Sequence, residues 1–178
     1  LSPASNPFGS PNAAGIYVID CGAMPIDIRS LRIHGTLILI NPGVGSKIDR
    51  EVHWTTPHPS QPALLVLGSI ALDQSIGFLK ESSENVNFNP SGTPYEGSTD
   101  FDKFDQYPSI IKGLVFALLD LNVTEKIDFE GTLMAGRNLT INRDFFPTYN
   151  SAIIQTPPDT MHAWTLTPDG QSWKAASK

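Results

Sequence analysis

Between residues 96 and 105 the chain reads EGSTDFDKFD, placing Glu96, Asp100, Asp102 and Asp105 within ten positions. Hard oxygen ligands gathered this closely are what calcium requires. Asp100, Asp102 and Asp105 are therefore the candidate metal ligands, and calcium is the only cofactor the sequence suggests. The spacing matches neither an EF-hand nor a calcium-binding repeat, and Lys103 stands among the acids. The plainer expectation is an acidic, solvated flap. Two carboxylates at a set separation also suit glycosidic-bond cleavage, and acids with an arginine suit a polysaccharide lyase. With 18 acidic residues and no positional signature, no pair is selected. Trp54, Tyr95, Tyr107 and Tyr149 lie in or beside loop-like segments and could stack on sugar rings, although aromatics at loop bases more often anchor small cores.

Other chemistries find little support. The run NPGVGSK places Ser46 where a nucleotide-cradling loop needs Gly, so a Pro-Gly turn is expected there. No Gly-x-Ser-x-Gly elbow occurs, and a Cys-His pair would rest on Cys21 alone. As the only cysteine, Cys21 excludes an internal disulfide and any cysteine-rich zinc module, and a small buried apolar role is expected of it. His53 and His58 flank a turn-rich segment in HWTTPH, and His34 follows Arg32 closely. No His-Glu-x-x-His pattern supports zinc, so solvated loop histidines are expected. Asn122-Val-Thr and Asn138-Leu-Thr match the N-glycosylation pattern and are read as equivalent repeat positions where small polar residues suit a corner. No catalytic set is assigned.

The bulk numbers narrow the class of partner. A net charge of −6, with scattered Lys and Arg, repels a phosphate backbone, so nucleic acid is not an expected partner. Charged residues are 17% and Gly and Pro together number 29, a composition that favours turns and strands over long exposed helices. No run of 18 apolar residues can span a bilayer. Because the chain opens on Leu, a membrane anchor or secretion segment is expected only upstream of it.

Residues 1–14 have the Pro-, Ser- and Asn-rich composition of a linker or arm. From Gly15 onward short aliphatic runs are bounded by Gly, Pro, Asn and Asp, the strand signature. An element of apolar, any, Gly, any, apolar recurs around Gly35, Gly68, Gly113 and Gly131. Alternation in a strand would turn each Gly and its apolar flanks to one face. Residues 109–123 and 127–141 align at an offset of 18, Gly113 on Gly131, Ala117 on Ala135, Leu121 on Leu139 and Val123 on Ile141. Ile110, Ile111, Leu114, Val115, Leu118 and Leu119 also fall at helical spacing. Gly113 would cost such a helix about 1 kcal/mol relative to Ala, and the second copy makes a poorer helix still, so strand is expected.

The expected fold is all-β, a single-stranded parallel β-helix or solenoid with long inserted loops at 41–62 and 81–108, its inward glycines stacked in a column. The expected organisation is an arm at 1–14, a solenoid domain at 15–158 and a tail at 159–178 packing on or beyond it, with Trp164 and Trp173 as anchors. The segments GIYVIDCG, RIHGTLILINPG, PALLVLGSIAL, DQYPSIIKGLVFA and FEGTLMAGRNLTI resemble the β-solenoid ectodomains of bacterial secreted or cell-surface proteins, some following a prepilin-like helix or occurring in pilus-assembly-like proteins. The resemblance implies an extracytoplasmic, non-enzymatic structural or interaction domain, with a homo-oligomer or envelope assembly as partner. The alternative is a carbohydrate-binding or carbohydrate-active domain with polysaccharide as partner. Acids and aromatics converging in one groove would favour the second.

Overall fold

The computed structural model describes residues 1–143 together with Phe145, Pro147 and Thr148. The expected tail at 159–178 and its tryptophan anchors lie outside the described residues, as do Tyr149 and residues 150–158.

Aliphatic runs with two-residue alternation form the strands. β1 (Ile16–Asp20), β2 (Asp27–His34) and β3 (Thr36–Ile40) are followed by β4 (Lys47–Thr55), β5 (Leu64–Leu67), β6 (Ile70–Gln74) and β7 (Phe78–Lys80). A helical turn, α1 (Glu81–Glu84), precedes β8 (Gln106–Pro108), β9 (Ile110–Ala117), β10 (Asp120–Val123), β11 (Phe129–Ala135) and β12 (Asn138–Ile141). Ten strands join one parallel sheet along the path β1-β3-β5-β9-β4-β6-β10-β12, with β11 on β9 and β2 on β4. β7 and β8 form a separate antiparallel pair.

This arrangement corrects the expectation of an all-β single-stranded parallel β-helix. The fold is mostly β, but the strands form a large ten-stranded parallel sheet with an antiparallel pair and a helical turn beside it, and no closed solenoid is made among the described residues. The pairing does not repeat coil by coil, because β4 pairs β2, β6 and β9, and β9 pairs β4, β5 and β11. Nor do the four glycines stack in a column. Gly35 and Gly68 lie in breaks between strands, one approaching the Gly15 carbonyl and the other the Pro42 ring. Only Gly113 and Gly131 are register partners. There the fit is close: Gly131 has φ +151°, and a Cβ on it would overlap the Gly113 backbone, so a side chain is excluded by both conformation and space.

The 18-residue offset is a real register. Ala117 pairs Ala135 between β9 and β11, and Leu121 pairs Leu139 and Val123 pairs Ile141 between β10 and β12. Residues 110–117 are strand, not helix. That same register shows that Asn122 and Asn138 are not equivalent positions: Asn122 pairs Thr140, and Asn138 pairs Asp120 and donates to its carboxylate at 2.8 Å.

The segment 41–62, expected as an inserted loop, contains the nine-residue β4. Its Ile48, Val52 and Trp54 are withdrawn fully from water, and the Trp54 indole donates to the Gly35 carbonyl at 2.9 Å. A bulge masks the pattern: Ser30 (φ +48°) and Arg50 (φ +56°) mark a register shift between β2 and β4, which breaks the alternation a reader of the sequence would follow. The core that β2, β4, β5 and β9 share includes Ile33, Leu64, Val66, Ile111 and Val115, and each such side chain contributes roughly 1.5–3 kcal/mol by leaving water.

Candidate functional site

The insert at 81–108 stands on the β7–β8 pair and carries six carboxylates against one cation, Lys103. A chain so polar cannot hold itself by apolar burial, and two charged side chains order it instead. Arg32 is displayed from β2 just beyond the bulge and is 8% exposed. One terminal nitrogen, Nη1, donates to the carbonyls of Phe88 at 2.6 Å and Thr93 at 2.8 Å, and Nη2 donates to that of Pro94 at 2.5 Å. Its guanidinium lies over the rings of Tyr95 and Tyr107, at 5.4 and 5.7 Å from their centroids. Burial pulls the guanidinium below its usual range, against the opposing pull of Tyr107, Tyr95 and Glu81.

Glu81 is the second organiser. It begins α1 and is completely buried. Oε1 accepts from the Phe88 amide at 2.5 Å and the Tyr107 hydroxyl at 2.9 Å, while Oε2 accepts from the Asp105 amide at 3.2 Å. Hydrogen bonds to an ionised acceptor are worth roughly 1.5–3 kcal/mol each, so this carboxylate fastens both ends of the flap. Burial, followed by the Glu81 acceptor and its charge, pushes the Tyr107 hydroxyl far above the ordinary phenol value.

Around Glu81 the structure gathers a carboxylate cluster. One oxygen each from Glu81, Asp100 and Asp105 lie within 4.8 Å of one another. Asn89, 2% exposed, donates through Nδ2 to Asp105 at 2.9 Å and Asp100 at 3.5 Å. Asn87 donates to the side-chain and backbone oxygens of Asp100, each at 3.0 Å. Burial and the neighbouring Asp100 charge raise the Asp105 carboxyl above the ordinary carboxylate value. Of the three sequence candidates, Asp100 and Asp105 are brought together and Asp102 is not: it is exposed and accepts from the Phe104 amide at 3.0 Å. Lys103 reaches Asn85 at 3.1 Å. Glu81, Asn89 and Arg32 were not legible as site residues; an arginine inside an aliphatic strand was the one available signal.

Arg32 also lines a cleft of about 300 Å³, together with His34, His53, Tyr95, Glu96 and Lys112. The expectation of solvated loop histidines holds only for His58, which is exposed and bonds Ser60. His53 is 4% exposed, and its Nδ1 lies 2.8 Å from the Pro108 carbonyl, which can only accept, so Nδ1 carries the proton. Burial lowers its pKa from the ordinary value. His34 is half-buried against Thr55 at 2.9 Å, and burial lowers its pKa as well. Cys21, expected to be buried, is partly exposed, with its thiol pushed up by burial and Asp20.

Of the acids and aromatics singled out in the sequence, only Glu96 and Tyr95 share this cleft. Trp54 is in the core, Tyr95 packs edge-on against His53 and Tyr107, and Asp100 and Asp105 turn into the flap. No helix among the described residues is long and apolar enough to cross a membrane. No family model, no curated protein and no solved structure matches the chain.

Proposed function

We propose that the chain is a non-enzymatic structural or interaction domain of a secreted or cell-surface bacterial protein, a stiff sheet that displays an ordered flap. The observation that carries this reading is the commitment of reactive side chains to internal bonds. Glu81 holds three donors, Arg32 holds three carbonyls and His53 holds Pro108, all at positions withdrawn from water. Groups bound this way brace a surface rather than turn over a substrate. The strands at the two ends of the sheet path, β1 and β12, expose Val18, Leu139 and Ile141, which supports self-association or docking into an envelope assembly.

A carbohydrate-binding role is the second reading, favoured by the cleft in which Tyr95, Glu96 and Lys112 offer a ring face beside polar groups. A glycan-array screen with and without calcium separates the two. The scaffold reading expects no saturable sugar binding; dose-dependent binding that is lost in Tyr95→Ala would replace it with the second.

A further inference from the structure

We propose that the cleft beside Arg32 binds a phosphate group, free or as a terminal monoester, with His53 and Lys112 as its recognition residues. Arg32 and His53 are register partners on β2 and β4, and so are His34 and Thr55 two residues further on. Ile110 of β9 lies against His53, and alternation brings Lys112 to the same face. Ile33, Trp54 and Ile111 point the other way, into the core. Basic groups far apart in the chain thus meet in one recess, which Tyr95 and Glu96 of the flap also line.

The tautomer of His53 restricts the ligand. This side chain is 4% exposed and donates from Nδ1 to the Pro108 carbonyl, so Nε2 presents a lone pair. Nε2 has no hydrogen-bond partner among the described residues, and it is not among the unpartnered atoms sealed from water. A nearly buried acceptor that opens on a cleft is satisfied by a ligand carrying its own proton.

Charge restricts it further. The Arg32 guanidinium donates to neutral carbonyls, and Glu81, whose charge favours it, is bonded to Tyr107 instead. Lys112 pairs with Glu130 at 3.0 Å and has further donors to offer. Burial first, and then the Arg32 and Lys112 charges, keep His53 unprotonated, with the Pro108 bond and Glu96 opposing them. A metal cation would be repelled by the same two charges, and an anion is drawn in. A carboxylate has the charge but no proton at neutral pH, and a hydroxyl has the proton but no charge. A phosphate monoester, with a second pKa of about 6, supplies both. One oxygen donates to His53 Nε2 while others accept from Lys112. Such a site needs neither the scaffold nor the carbohydrate reading to hold.

The test is NMR titration of the whole isotope-labelled chain at about pH 6 and constant ionic strength, with inorganic phosphate, glucose 6-phosphate and sulfate in separate arms. Saturable shifts centred on His34, His53, Tyr95 and Lys112 are expected, with Kd of about 1 mM for at least one phosphate form. The tighter of the two identifies a free or an esterified source. Sulfate, which has the shape but no proton, should bind about tenfold more weakly or worse. His53→Gln still donates to Pro108 and should abolish the preference for phosphate over sulfate, whereas Lys112→Gln should weaken both anions alike; circular dichroism checks that each variant folds. The proposal is overturned if neither phosphate form gives saturable shifts by about 20 mM, if the shifts centre elsewhere, or if sulfate binds as tightly. It is equally overturned if His53→Gln keeps the preference or Lys112→Gln leaves binding unchanged.

Discussion

In the sheet, Ile33, Leu39, Leu64, Val66, Ile111 and Val115 are shielded from water by one another; in the flap, the buried groups include Glu81, Asn89 and Thr93, and each answers to a named partner or stands unpaired. Apolar packing is non-directional, so the sheet should absorb substitutions that preserve volume. A polar network is directional, and one missing member leaves its partners unsatisfied in a place water does not reach. The sheet therefore supplies stability, and the flap supplies a specific shape that a single bond can release. Arg32 and His53 sit on the seam, projecting from β2 and β4 to hold the flap and β8.

The largest effect should come from the sheet. Trp54→Ala is expected to cost about 3–5 kcal/mol, and Leu39→Met less than about 1.5 kcal/mol, read as shifts in the urea midpoint with an unchanged slope. Equal losses from the two would break the contrast between tolerant packing and brittle bonding. Next in size is Arg32→Met, expected to cost about 1.5–3 kcal/mol. Hydrogen exchange should place that loss in residues 88–94 while β3 and β5 keep their protection; uniform loss across both regions would mean that sheet and flap open as one unit.

A smaller effect concerns the seam. Burial holds the folded pKa of His53 below its ordinary value of 6.5, so the unfolded chain binds more protons in that window. Stability should fall as pH drops below 6.5 towards the folded value. His53→Gln, which can still donate to the Pro108 carbonyl, should flatten this slope in denaturant titrations at stepped pH. The smallest effect belongs to the surface of the sheet, where Arg137 and then Asn138 bond Asp120 and hold its carboxyl down at about 2. This contribution is present above the ordinary value of 3.8 and is lost as pH falls towards 2. Asp120→Asn should remove that part of the acid limb alone; an unaltered acid limb would mean that the pair is solvated as any exposed ion pair.

Legibility followed the same divide between sheet and flap. The offset of 18 was readable because Gly113 and Gly131 stand in repeated aliphatic surroundings and parallel pairing preserves sequence spacing. β4 was not, because the bulge at Arg50 interrupts its alternation and its polar residues resemble a loop. Asp100 and Asp105 could be suspected from composition; Glu81 could not, since it lies 24 residues from the Asp105 amide it accepts.

The order of residues by itself determined the strand-forming runs, the acidic flap and the close Gly113–Gly131 passage, since each follows from side-chain shape and neighbours near in the chain. Which strands joined into one sheet, which acids met and which histidine lost its water were decided only in three dimensions. Those outcomes depend on pairings such as Glu81 with Tyr107 and Arg32 with Phe88, and burial converts such distant meetings into strong, directional bonds that no local pattern encodes.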